Sequence, residues 1–351
     1  MKYNSPYQGI NSNNAIYLAT NENPYELPKD IQQELSRTLS LVNRYPKVEN
    51  GELKEKIASV HKIKPENIVI GAGSDELLML IVMNYVGNSD NTIMANPSFF
   101  RYKQLTEFAG GDCRLVNCKD FYHDLDAMKK EIDEKTKIIF ICNPNNPTGT
   151  MLSTDEIEVF VKNIPSHVVV VIDEAYFDYV YPRDSKSGIE LINQFPNIIV
   201  LRSFSKFFAL AGLRIGYAVG SEKVIKKING IRSPYNVNSI AQSAAIMMMD
   251  NDIFNENIYS EMQNEKQFIY NAFDQVGVKY FPSQANFIFV EFGDRCEEWC
   301  AKLKEHNIVI RPCGMFGYPN YARITIGTPQ ENKVVVDVLI KMISLAELEN
   351  T

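Results

Sequence analysis

No apolar run in the 351 residues is long enough to cross a membrane: the longest, LLMLIVM at 77–83, falls well short of the roughly 18 residues such a helix needs. The polar start, MKYNSPYQGINSNN, has no apolar core of the kind a secretory signal requires, so a cytoplasmic protein is expected. Cysteines number only six, Cys113, Cys118, Cys142, Cys296, Cys300 and Cys313, and none forms a CxxC pair. A chain of this length needs no disulfide staples, and reduced thiols are the expectation. Histidines are fewer still: His61, His123, His167 and His306 stand far apart, which disfavours a metal centre, and no metal is expected. Basic residues show no surplus, with 36 Lys and Arg against 43 Asp and Glu and a net charge of -7, which removes the electrostatic case for nucleic-acid binding. At 45% hydrophobic residues, the composition is equally far from that of a disordered chain.

What is present is an alternation of short apolar runs with helical stretches. Runs at 68–70, 92–95, 137–142, 168–173, 198–201 and 215–219 are rich in Val and Ile and mostly do not alternate with polar residues. Strands buried on both faces read this way. Helices are predicted between them at 75–85, 124–132 and 153–163, the last opening Ser-Thr-Asp-Glu in a capping pattern. The succession predicts an α/β fold, a mostly parallel sheet flanked by helices, with a smaller α/β domain after about residue 233 whose strands are expected at 285–291 and 323–327.

In such sheets ligands bind at the carboxyl ends of the strands. After the first run, Gly71-Ala72-Gly73-Ser74-Asp75-Glu76 forms a Gly-rich turn opening a helix, whose free N–H groups suit a phosphate. It is not a dinucleotide fingerprint, because Glu76 stands where the third glycine belongs. Asn143-Pro144-Asn145-Asn146-Pro147-Thr148-Gly149 forms a stiff loop that fixes the direction of its amides. Asp173 closes a fully apolar run, a costly place for a carboxylate without a cation or donor. Two chemistries fit it: the magnesium-holding strand of a P-loop ATPase, for which the required GxxxxGK[ST] is missing, or a counter-ion for a protonated cofactor ring nitrogen. Lys206 lies among hydroxyls and aromatics in Arg202-Ser203-Phe204-Ser205-Lys206-Phe207-Phe208, a setting in which an amine can lose its proton and form a Schiff base. Ser203, Ser205 and Arg214 add phosphate-binding side chains around it.

Asn146-Pro147-Thr148-Gly149, Asp173 with Tyr176, and Ser-x-Ser-Lys206 followed by Arg214 resemble, in order and spacing, the fold-type I pyridoxal phosphate aminotransferases. Within that superfamily, Asn21-Glu22-Asn23-Pro24-Tyr25, Asn43-Arg44-Tyr45-Pro46, Arg311-Pro312 and Arg323-Ile324-Thr325-Ile326-Gly327-Thr328 look like the histidinol-phosphate aminotransferase group. The resemblance implies pyridoxal 5'-phosphate held by Lys206, which also moves the proton between the substrate alpha carbon and the cofactor. It implies Asp173 at the ring nitrogen, Asn146 and Tyr176 at the ring hydroxyl, and Phe99 against the ring face. Gly73, Ser74, Asp75, Ser203, Ser205 and Arg214 would surround the phosphate. Tyr45 would reach the neighbouring site in a homodimer, and Asn23, Arg311 and Arg323 would bind substrate. The implied domains are an arm with part of the small domain in 1–30, a large cofactor-binding domain in 31–235 and a small domain in 236–351. The implied reaction exchanges amino groups between histidinol phosphate and 2-oxoglutarate, with threonine-phosphate decarboxylase or an aromatic amino-acid aminotransferase as alternatives.

Two departures from the group's usual pattern, Glu26 in place of Gly and Phe207-Phe208-Ala209 before the Arg214 segment, lie near the expected substrate entrance. The two-residue period of a strand puts Arg323 and Thr325 on one face, where the guanidinium fork suits a carboxylate or phosphate.

Overall fold

The computed structural model describes residues 15–349; the polar start and the first part of the expected arm, residues 1–14, lie outside the described residues. The first strand, β1 (Ile16–Leu18), belongs to the smaller of two sheets. The next seven form the larger: β2 (Ile68–Gly71), β3 (Asn91–Asn96), β4 (Asp112–Asn117), β5 (Thr136–Cys142), β6 (Val169–Asp173), β7 (Ile198–Ser203) and β8 (Gly216–Gly220). Their order is β2-β8-β7-β6-β5-β3-β4, and β8 alone runs antiparallel to its neighbours.

The uninterrupted apolar runs of β5, β6 and β7 have a direct cause. Ile139, Ile141, Val170, Ile172, Ile198 and Val200 pack into one core, while the alternate residues Ile138, Phe140, Val169, Val171, Ile199 and Leu201 pack into another on the opposite face. Both faces are covered by helices, so neither can carry polar residues, and each buried Val or Ile contributes about 1.5–3 kcal/mol. The edge strand β4 instead alternates exposed and buried positions and was not anticipated. Helices occupy Ser74–Tyr85, Leu125–Lys130 and Thr154–Val161. Ser153 and Glu156 close the last in a reciprocal box: the Glu156 N–H donates to Ser153 Oγ at 3.2 Å and the Ser153 N–H to Glu156 Oε2 at 2.8 Å.

The smaller sheet, completed by β9 (Lys279–Phe281), β10 (Phe287–Glu291), β11 (Ile308–Pro312) and β12 (Tyr321–Thr325), has the order β1-β11-β12-β10-β9. It is antiparallel apart from the β1–β11 pair. Its core joins Ile288, Val290, Ile310 and Ile324 to Ile258, Met262 and Phe273 of the long helix Asp252–Gln275. The preceding helix, Ser239–Met249, buries Ala241, Ala244, Ala245 and Met248 against the large sheet. The change of core therefore falls after Met249 rather than at residue 235, because small side chains let that helix lie close to the first core. β1 sets the start of the described chain in the small sheet, and the residues after it reach the large one: the Thr20 carbonyl accepts from Lys206 and Asn21 Nδ2 donates to Tyr176.

Candidate active site

The turn after β2 makes one rim of the site. Gly73 has φ +84°, and a Cβ there would stand 2.7 Å from Arg214 Nη2, so glycine alone lets that guanidinium lie over the turn. Ser74 and Asp75 open the following helix, where backbone N–H groups have no intrahelical acceptor and the helix dipole favours an anion. Arg214 Nη1 donates to Ser205 Oγ at 3.3 Å, and the Ser205 N–H donates to Ser203 Oγ at 3.1 Å. Two carboxylates near this rim are already engaged. Arg101 clamps Asp75 with bonds of 2.7 and 2.9 Å, while Glu76 accepts from the Ala72 N–H at 2.6 Å and from Asn236 Nδ2 at 2.7 Å. Glu76, which broke the dinucleotide pattern, thus braces the turn, and the rim remains an anion cradle of N–H, hydroxyl and guanidinium groups.

Lys206 follows β7, and its Nζ donates to the Thr20 carbonyl at 2.9 Å. Loss of hydration, reinforced by Arg323 and Arg214 and opposed by Glu22, brings the pKa of this amine down to about 8. Asp173, at the end of β6, is buried and pairs with no cation among the described residues. Its Oδ2 accepts from the Tyr102 hydroxyl at 2.8 Å and its Oδ1 from the Ala175 N–H at 3.2 Å. Burial pushes its pKa up to about 6 against the pull of those two donors. Phe99 lies edge-on to Tyr102, with ring centroids 5.6 Å apart.

The asparagine loop after β5 divides its labour. Asn143 spans to Leu152 and Asn145 to Pro97 and Thr148, which braces the loop and leaves Asn146 to face the site. Asn146 Nδ2 donates to Tyr176 Oη at 3.4 Å, and its Oδ1 accepts from Arg323 Nη1. Burial raises the Tyr176 phenol to about 12, with Arg323 and Asn21 pulling the other way. Arg311 and Arg323 face each other across the β11–β12 pair and converge on the Ala19 carbonyl, at 3.3 and 2.7 Å. Neither forms an ion pair with any described residue, and Arg323 Nε has no partner at all. Thr325 shares the face of Arg323, as the strand period predicted, while Ile324 enters the small core.

Two expected site residues make other contacts within this chain. Asn23 spends its side chain on the Phe207 carbonyl, 2.9 Å away, and on the Tyr25 N–H at 3.0 Å, which ties the crossing segment to the Lys206 loop. Tyr45 is 82% exposed and stacks on Tyr235, ring centroids 4.6 Å apart. Glu26 is exposed, and Ala209 holds a left-handed φ of +55°. Sequence reasoning missed Tyr102 and Asn21 as site residues; the one signal for Asn21 was its place in the Asn-Glu-Asn-Pro segment.

A depressed amine, an unpaired carboxylate, a phenol with an amide beside it and an anion cradle together fit pyridoxal phosphate, which offers an aldehyde, a basic ring nitrogen, a ring hydroxyl and a phosphate. The family model for class I and II aminotransferases matches residues 13–339. The chain belongs to this family. It is 39% identical over 324 residues to the histidinol-phosphate aminotransferase of Caldicellulosiruptor saccharolyticus, a match covering 92% of this chain and 90% of that protein. The histidinol-phosphate aminotransferase of a Geobacillus species is 36% identical, with 95% and 91% covered. Among solved structures, the histidinol-phosphate aminotransferase of Sinorhizobium meliloti in complex with pyridoxal-5'-phosphate superposes with a TM-score of 0.89 at 25% identity, covering 95% of this chain and 91% of that one.

Proposed function

We propose that this aminotransferase uses pyridoxal phosphate to exchange amino groups between histidinol phosphate and 2-oxoglutarate, giving imidazole acetol phosphate and glutamate. The observation that carries the reading is an amine of lowered basicity, Lys206, between two arginine-lined anion sites, one at Arg214 and one at Arg311 with Arg323. The names of the relatives support the choice of substrate.

When bound, the cofactor supplies an electron sink for the pair left at the substrate alpha carbon. The residues do the rest. Gly73, Ser74, Asp75, Ser203, Ser205 and Arg214 take the cofactor phosphate, the helix opening through its N–H groups. Asp173, which receives only neutral donors from the described residues, would stabilise positive charge on the ring nitrogen. Asn146 and Tyr176 hold the ring oxygen, and Phe99 covers a ring face, which needs only an aromatic surface. Lys206 holds the cofactor covalently and moves the proton at the alpha carbon; with a pKa near 8 it exchanges that proton readily around neutral pH. When the amine is free, the Thr20 carbonyl keeps it in place. Arg323 and Arg311 take the substrate's anionic end, a phosphate in one half-reaction and a carboxylate in the other.

The working unit in this reading is a cytoplasmic homodimer. Leu39, Leu41 and Val42, exposed by 56%, 57% and 61%, form with Tyr45 and Tyr235 an apolar band suited to a second copy, in which Tyr45 reaches the neighbour's phosphate. All six cysteines are free thiols, in keeping with a reducing compartment, and no helix among the described residues is long and apolar enough to cross a membrane. A panel of histidinol phosphate, threonine phosphate, phenylalanine and tyrosine, scored separately for amino transfer and carbon dioxide, tests the assignment. Turnover led by histidinol phosphate supports it; release of carbon dioxide from threonine phosphate, or preference for an aromatic amino acid, overturns it.

A further inference from the structure

We propose that Asn21 is a positioning residue that aims the Tyr176 hydroxyl hydrogen at the cofactor's ring oxygen; the inference rests on the cofactor reading above. Asn21 is 1% exposed, and its backbone holds a left-handed φ of +56°. Every polar group it owns is engaged. Its N–H donates to Thr325 Oγ1 at 3.0 Å, and its carbonyl accepts from Asn286 Nδ2 at 3.1 Å. Its Oδ1 accepts from the Thr325 hydroxyl at 3.0 Å, and its Nδ2 donates to Tyr176 Oη at 3.0 Å.

The orientation of that amide follows from the network. Thr325 Oγ1 accepts from the Asn21 N–H and donates its single hydrogen to Asn21 Oδ1, a reciprocal pair that turns the amide oxygen toward Thr325. With the oxygen so placed, the Asn21 nitrogen faces Tyr176. Asn146 Nδ2 is the second donor to the same phenol oxygen, at 3.4 Å. An oxygen that accepts two amide hydrogens has its own hydrogen left to give, and no described residue accepts it. The remaining acceptor is the ring oxygen of the cofactor that Asp173, Lys206 and the phosphate cradle would hold. Asn21 reaches Tyr176 from the crossing segment and Thr325 from the small sheet, so the direction of one hydrogen depends on three parts of the chain separated by up to 304 residues.

A donor to the ring oxygen favours its deprotonated form and lowers the pH at which the bound chromophore changes colour. The experiment is a visible-absorption pH titration of the purified holoenzyme and of Asn21→Gly, which tolerates the positive φ while deleting the amide. The variant is expected to keep its cofactor and to move the titration midpoint upward by about half a unit or more, as loss of one hydrogen bond to the titrating system implies. Thr325→Val, which frees the amide to turn over, should move the midpoint the same way by less, and Thr325→Ser should restore it. A merely structural role for Asn21 would lower the melting temperature and leave the midpoint alone. An unchanged midpoint in fully loaded Asn21→Gly or, should that variant fail to fold, in Thr325→Val overturns the proposal. A wild-type protein without visible absorbance would overturn the cofactor reading and this proposal with it.

Discussion

Asp173 and Glu174 are adjacent carboxylates at the end of β6, 4% and 1% exposed, and they are treated in opposite ways. Glu174 takes Arg202 Nε at 2.8 Å, the Ser187 hydroxyl at 2.7 Å and the Gly188 N–H at 2.7 Å, and Arg202 goes on to Asp178 at 3.1 Å. Asp173 receives only neutral donors, Tyr102 and Ala175. Burial raises the pKa of both; at Glu174 the arginine opposes it, whereas Asp173 has no cation to do so. A buried carboxylate without a cation is unfavourable to the fold, and the reading proposed above supplies the reason: a protonated ring nitrogen of the cofactor would be its cation. Glu174 secures the strand end, and Asp173 is left free for the role proposed for it.

That contrast can be broken in several ways. Lys206→Ala sets the outer limit, because it removes the group proposed as both covalent holder and proton carrier: turnover should fall by roughly 10⁴-fold or more, with cofactor still bound non-covalently, as single-turnover assays and dialysis would reveal. On the Glu174 side, Arg202→Met leaves an uncompensated buried charge and should destabilise the fold by about 3–5 kcal/mol in denaturant titrations. Asp173→Asn should do the reverse, leaving folding intact while lowering kcat by about 100-fold or more, since a neutral amide cannot hold the ring nitrogen cationic. Near-normal turnover in that variant would make Asp173 an ordinary strand-end carboxylate.

The pH dependence sharpens the same point. In the cofactor-free protein the Asp173 pKa is raised from 3.8 to about 6, so the folded state binds the proton more tightly than the unfolded state. Stability therefore falls as pH rises through this window, and above it the ionised group costs about 3 kcal/mol. Cofactor-free Asp173→Asn should melt above cofactor-free wild type at pH 7, and the gap should close toward pH 4; a gap independent of pH would contradict the unpaired state. Smallest is Arg323→Lys, which keeps charge but loses the fork: catalytic efficiency should fall by roughly 30–150-fold with both histidinol phosphate and glutamate. Loss with neither would return the arginine to a structural role.

The large-sheet side of the site could be read from the chain because each functional group there ends an apolar run or opens a helix. Asp173 follows VVVVI, Asn146 follows KIIFIC, Lys206 follows IIVL, and Gly73-Ser74 follows the first run. The parallel sheet then gathers those ends without further information. Tyr102 was hidden because its partner lies 71 residues away and nothing in a helix sequence announces a hydroxyl aimed at a carboxylate. The Ala19 and Thr20 carbonyls, which hold two arginines and the lysine, carry no side-chain signature. Asn23 and Asn21 sit two residues apart in one segment, and only the path of that segment decides which faces the site. Strands β1 and β9, three residues each, were too short to show a period, and edge strand β4 had lost the apolar run that marked its neighbours.

The most direct test of the central assignment is borohydride reduction of the purified protein followed by peptide mass mapping. The account predicts visible absorbance before reduction, its loss afterwards, and a single pyridoxyl phosphate label on Lys206. A label on another lysine, or a colourless protein that takes up no label after incubation with pyridoxal phosphate, would contradict it.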